Sequence, residues 1–92
     1  MIRRQFTFYG CVQGVGFRWR ACAAAEAAGT TGWVRNNYDG SVTMELQGDE
    51  AQIDRVVQSL GHDRYIRIDS LEARTIPVDP EERGFETRDD FW

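Results

Sequence analysis

Residues 3–28, RRQFTFYGCVQGVGFRWRACAAAEAA, change period partway along. In the first part Phe6, Phe8 and Cys11 are set among polar neighbours in a segment rich in aromatics and Thr, which is the pattern of a half-buried strand from Arg3 to Cys11. From Phe17 onward the apolar positions recur as Phe17, Ala21, Ala24, Ala25 and Ala28, the spacing of one helix face. Val12-Gln13-Gly14-Val15-Gly16 lies between the two and is glycine-rich. A strand therefore feeds a loop, and the loop feeds a helix N-terminus, with Gly29 as the C-terminal stop.

Working outward, the short segment Trp33 to Asn36 reads as a strand, Asn37-Tyr38-Asp39-Gly40 as a turn, and Ser41 to Gln47 as its return. The return alternates cleanly, with Val42, Met44 and Leu46 on one face and Thr43 and Glu45 on the other. Asp49, with Gln52 three residues later, opens a second helix whose apolar face is Ile53, Val56, Val57 and Leu60, and Gly61 ends it. Tyr65 to Ile76 reads as a long strand. Its apolar phase slips between Ile66/Ile68 and Leu71/Ala73, which predicts a bulge. Pro77 and Pro80 make a loop, and a last strand is expected from about Gly84 to Phe91, pinned by Phe91 and Trp92. The order predicts an α+β fold of the ferredoxin-like split βαβ kind (β-α-β-β-α-β) with an extra C-terminal strand. Two helices would pack on one face of a mainly antiparallel sheet, and residues 1–92 would form a single domain. Phe6, Phe8, Phe17 and Trp33 are expected to pack in its core rather than to stack on bases.

Composition narrows the function. The 92 residues carry 11 arginines and no lysine against 15 acids, for a net charge of −4, and 41% are hydrophobic, enough for one globular core. The charge is uneven: residues 1–38 are net +4 and residues 39–92 net −8. Such a chain is a poor general binder of nucleic acid, yet its basic first third can hold a small anion. The longest purely apolar run, Ala21 to Ala25, is far short of the roughly 20 residues of a membrane span, and no signal stretch follows Met1. A cytoplasmic monomer is expected. Cys11 and Cys22 fit two buried thiols, with no metal-ligand spacing and too few cysteines for a disulfide scaffold. His62 reads as a surface residue. There is no Ser-His-Asp constellation and no metal-ligand cluster, so neither a metal nor another cofactor is expected.

The chemistry concentrates at Gly10 to Arg20. A glycine loop running into a helix leaves unpaired backbone N–H groups at the helix start, and Arg18, one turn inside, can fold a guanidinium over an anion held there. The same residues also fit a tight structural connection with Arg18 and Arg20 solvated. Asn36, likewise, fits an ordinary turn residue. Gly10-Cys11-Val12-Gln13-Gly14-Val15-Gly16-Phe17-Arg18 resembles the signature loop of the acylphosphatase family. Gly32-Trp33-Val34-Arg35-Asn36-Asn37-Tyr38-Asp39-Gly40-Ser41-Val42 resembles that family's second signature.

This resemblance implies metal-free hydrolysis of the carboxyl–phosphate bond of a small-molecule acyl phosphate, with inorganic phosphate as product and inhibitor. Arg18 matches the family's phosphate-binding arginine and Asn36 its water-positioning asparagine. Gln13, Gly14, Val15, Gly16, Phe17 and Arg18 match its phosphate loop. Two positions depart from the pattern: Cys11 stands where the family commonly has a basic residue, and Gly61-His62-Asp63 replaces its usual Gly-Pro.

Overall fold

The structure is a computed structural model that describes residues 1–88. Its elements are β1 (Ile2–Cys11), α1 (Phe17–Ala28), β2 (Thr31–Asn36), β3 (Val42–Gly48), α2 (Glu50–Gly61), β4 (Arg67–Ile76) and β5 (Phe85–Thr87). The five strands form one sheet in the order β4-β1-β3-β2-β5. Its pairs are antiparallel except β2 with β5, which run parallel. Both helices lie on one face, α1 over β2 and β5 and α2 over β3. This is the split βαβ architecture that the periodicities predict.

The core lies between that face and the helices. Phe6 and Phe8 from β1, Val34 from β2, and Val42, Met44 and Leu46 from β3 meet Phe17, Ala21, Ala25 and Ala28 of α1 and Ile53, Val56 and Leu60 of α2. Alanine at the inner positions of α1 brings the helix close to the sheet. α2 starts with a capping box in which the Asp49 backbone N–H donates to Gln52 Oε1 at 2.8 Å. The bulge implied by the phase slip is present: Tyr9 faces Ser70 and Gly10 faces Ile68, so Asp69 is the extra residue.

Several boundaries move, each for a physical reason. β2 begins at Thr31 rather than Trp33, because Gly32 is a strand residue and not part of a turn. It faces Leu46 at φ 146°, and a β-carbon there would collide with the Glu45 carbonyl. β4 begins at Arg67 because Asp63 holds residues 63–66 in a turn, its Oδ1 accepting the Tyr65 N–H at 2.9 Å and its carbonyl the Ile66 N–H at 3.2 Å. Leu71 is 41% exposed, since β4 is an edge strand over which neither helix extends. Trp33 is buried, but on the face away from the helices, with Arg88 4.5 Å and Arg35 5.4 Å from its ring centroid. β5 spans only Phe85–Thr87, and the expected continuation to Phe91 with its pinning by Trp92 falls partly outside the described residues.

The connection at residues 77–84 carries the chain from one edge of the sheet to the other, against outward-facing side chains of β1 and β3. Arg3, only 5% exposed, forms a two-pronged pair with Glu82 (2.7 and 2.9 Å), donates Nε to Glu45 Oε1 at 2.9 Å and reaches Gln47 at 3.2 Å. Gln47 in turn brackets the backbone of Asp79, donating to its carbonyl at 2.9 Å and accepting its N–H at 2.8 Å. Arg4 lies near Glu50 and Asp54. Two cations of the basic first third are thus committed far from the glycine loop.

Candidate active site

β1 and β2 both run antiparallel to β3, which lies between them, so the loop after β1 and the end of β2 open at the same end of the sheet. The loop is pinned by Val12, fully buried, and by Phe17, 2% exposed and 5.0 Å from Phe8 ring to ring. Between these anchors Gly14 (φ 76°) and Gly16 (φ 77°) adopt the left-handed conformation, alternating with residues at negative φ. Such alternation turns successive backbone N–H groups into one concavity, a common form of anion site.

The helix start carries a local conflict. Gly16 caps α1 without a side chain to accept the first-turn N–H groups, and that turn holds no acid. α2 has both a capping box and Glu50. Into this positive helix terminus the sequence places another positive charge, Arg18, which is half-buried. Like charges at a helix end cost about 0.3–1 kcal/mol, a cost that a bound anion reverses. Violations of local rules of this kind tend to mark functional sites.

Asn36 is the last residue of β2 and faces Val42 across the ladder. Strand alternation gives it the same face as Val34, the helix side, and gives Asn37 the other. The two amides have different fates. Asn37 Nδ2 donates to Thr43 Oγ1 at 2.7 Å and to Ser41 Oγ at 3.0 Å, its Oδ1 accepts from Arg35 at 3.4 Å, and its backbone N–H bonds the Ser41 carbonyl at 2.8 Å. The Asn36 carboxamide makes no hydrogen bond to any described residue. Asp39 completes the turn by accepting the Ser41 N–H at 2.9 Å and the Ser41 hydroxyl; these bonds hold its carboxyl below the usual carboxylate range.

Gln13 does more than the sequence suggests. Its Nε2 donates to the carbonyls of Asn37 (2.8 Å) and Ser41 (2.9 Å), tying the glycine loop to the residue beside Asn36. Cys11 is exposed at the end of β1, not buried, and its ladder partner is Arg67. Cys22 is half-buried on α1, and burial followed by Glu26 pushes its thiol up. His62 is exposed. Among the described residues no three His, Cys, Asp or Glu side chains converge on a possible metal site. No helix among them is long and apolar enough to cross a membrane.

Comparison with known proteins agrees with this geometry. A sequence profile of the acylphosphatase family matches residues 4–87. An acylphosphatase of Actinobacillus succinogenes is 51% identical over 53 residues, 58% of this chain and 59% of the relative. One of Clostridium perfringens is 38% identical over 88 residues, 95% of this chain and 99% of the relative. The crystal structure of acylphosphatase from Bacillus subtilis superposes with a TM-score of 0.88 at 24% identity, covering 96% of this chain and 99% of that one, and so has the same fold. With the profile spanning nearly all the described residues and a relative aligned along almost its full length, this chain belongs to the acylphosphatase family.

Proposed function

We propose that residues 13–18 and Asn36 together hydrolyse the carboxyl–phosphate bond of acyl phosphates. The observation that carries this reading is the α1 terminus: uncapped by any side chain, free of acid in its first turn, entered through two left-handed glycines and occupied by Arg18. The backbone N–H groups of the loop and the Arg18 guanidinium hold the phosphoryl oxygens, and the Asn36 carboxamide orients a water opposite the acyl oxygen. The water oxygen attacks phosphorus as the bond from phosphorus to the acyl oxygen breaks, and the electron pair leaves on the carboxylate. A proton of the water passes to a phosphoryl oxygen of the substrate, giving a carboxylate and dihydrogen phosphate. A carboxylate is stable without protonation, so positioning and charge stabilisation suffice and no general acid is required.

Inorganic phosphate shares the cradle and acts as product and competitive inhibitor. The same reading has the chain work as a cytoplasmic monomer without nucleic acid, in keeping with its acidic composition. The test is phosphate release from benzoyl phosphate in the presence of EDTA, beside a phosphate monoester, for the wild type, Arg18→Lys and Arg18→Ala. Turnover of the acyl phosphate alone is expected, falling steeply in Arg18→Lys, which keeps the charge but loses the fork, and further in Arg18→Ala. Dependence on a divalent metal, or near-normal turnover in Arg18→Ala, would overturn the reading.

A further inference from the structure

Beside the cradle lies a cluster that holding a phosphoryl group does not require. Arg20 folds back along α1 onto the space that Gly16 leaves empty: a β-carbon at Gly16 would lie 3.3 Å from Arg20 Nη1. Its Nε is 2.8 Å from Asp63 Oδ2 in the turn between α2 and β4. The guanidinium carbon is 5.1 Å from the Tyr65 ring centroid and 5.8 Å from that of Trp19, and Arg64 reaches the same Tyr65 ring at 5.1 Å. Trp19 and Tyr65 are 72% and 57% exposed, whereas Arg20 is only 22% exposed.

Two guanidinium groups therefore flank the Tyr65 ring at the rim of the loop, and Arg20 is the one paired with Asp63. A guanidinium flanked by rings is partly stripped of water, which strengthens its attraction for a further anion. Asp63 faces the Nε side as an ion pair, although the Nε N–H makes no hydrogen bond among the described residues, and its other oxygen accepts the Tyr65 N–H, so the acid leaves uncovered the edge that abuts Gly16. An acyl phosphate has two ends, and the phosphoryl end is served by Arg18 and the loop.

We propose that Arg20 is a specificity-determining residue that receives a carboxylate carried on the acyl group, so that the enzyme favours acyl phosphates of dicarboxylic acids over those with a neutral acyl group. The proposal rests on the reading of residues 13–18 as the phosphoryl cradle. It is tested with benzoyl phosphate and 4-carboxybenzoyl phosphate, comparing wild type, Arg20→Gln and Arg20→Lys. The ratio of kcat/KM, carboxylated over plain, should fall about tenfold in Arg20→Gln, mainly through the KM of the carboxylated substrate, and by less in Arg20→Lys. Asp63→Asn should raise that ratio. Equal losses on both substrates would show that Arg20 only shapes the loop, and an unchanged ratio would show that it meets no carboxylate; either overturns the proposal. Calorimetric binding of the matching non-hydrolysable pair, phenacylphosphonate and 4-carboxyphenacylphosphonate, separates the two ideas. If wild type turns over neither acyl phosphate yet Arg20→Gln weakens only the carboxylated phosphonate, the hydrolytic reading fails and the role of Arg20 stands.

Discussion

Asn36 and Asn37 carry the same side chain one position apart, and the sheet assigns them opposite faces. Asn37 spends both amide protons inside the hairpin, on Ser41 and Thr43, so its loss should cost stability of the turn. In the proposed mechanism Asn36, which lies on the helix side and makes no side-chain hydrogen bond to a described residue, holds the water at the cradle. Losing one positioned donor in a preorganised site lowers turnover roughly 100- to 1000-fold. Asn36→Ala should therefore reduce kcat by about that factor and leave the phosphate inhibition constant nearly unchanged. Asn37→Ala should stay active and melt earlier. Steady-state kinetics with phosphate inhibition, paired with thermal melts of both variants, decide the matter; equal losses of kcat would place the water on the wrong residue. Arg18 and Asn36 stand out as candidates in the sequence because each sits inside a contiguous motif. The contacts of Gln13 and Arg20 do not, because their partners Asn37, Ser41 and Asp63 lie 24 to 43 positions along the chain, and only folding brings them near.

Elements were legible where one period ran without interruption. α1, β3 and α2 agree with the sequence to within a residue or so, since each buries one face throughout. Boundaries differ where a residue plays against type. Gly32, just outside the strand expected from Trp33, is the smooth patch that lets β2 approach β3, and Tyr65, the expected start of a long strand, belongs to the turn ordered by Asp63. The β2–β3 turn gives a prediction in pH. Its Asp39 carboxyl is held below its ordinary pKa by the Ser41 hydroxyl and then by the Ser41 N–H. A depressed folded pKa contributes stability that is fully present above the unfolded value, about 4, and is lost as pH falls through the folded value. Asp39→Asn should thus melt below wild type at about pH 6, and the gap should close in acid as the wild-type carboxyl is protonated. A gap of constant size from neutral to acid pH would mean that charge has no part in the turn's stability.

At the scale of the molecule, charge is less polarised in space than along the chain. The net positive first third promised a positive pocket, yet Arg3 and Arg4 are neutralised at the end of β1 remote from the cradle, and Arg35 lies over Trp33 on the other face. The Arg3 cluster instead fastens the connection between β4 and β5. Glu82→Ala should destabilise the fold by about 1–3 kcal/mol, because a nearly buried guanidinium loses its two-pronged partner, while the adjacent exposed Arg83→Ala should change it by less than about 0.5 kcal/mol. Urea unfolding of the two variants measures the difference, and similar midpoints would show that the connection needs no such fastening. The sheet order also sets a timetable for synthesis. β1 is made before the other strands of this sheet, but Phe6 lies opposite Met44 on one side and Ala73 on the other. One hydrogen-bonding edge of β1 stays open until the hairpin has emerged, and the second until β4 is released. The nascent chain therefore cannot assemble this sheet strand by strand in the order of translation, and β1, an inner strand, lacks one or both of its neighbours until β4 has followed the hairpin.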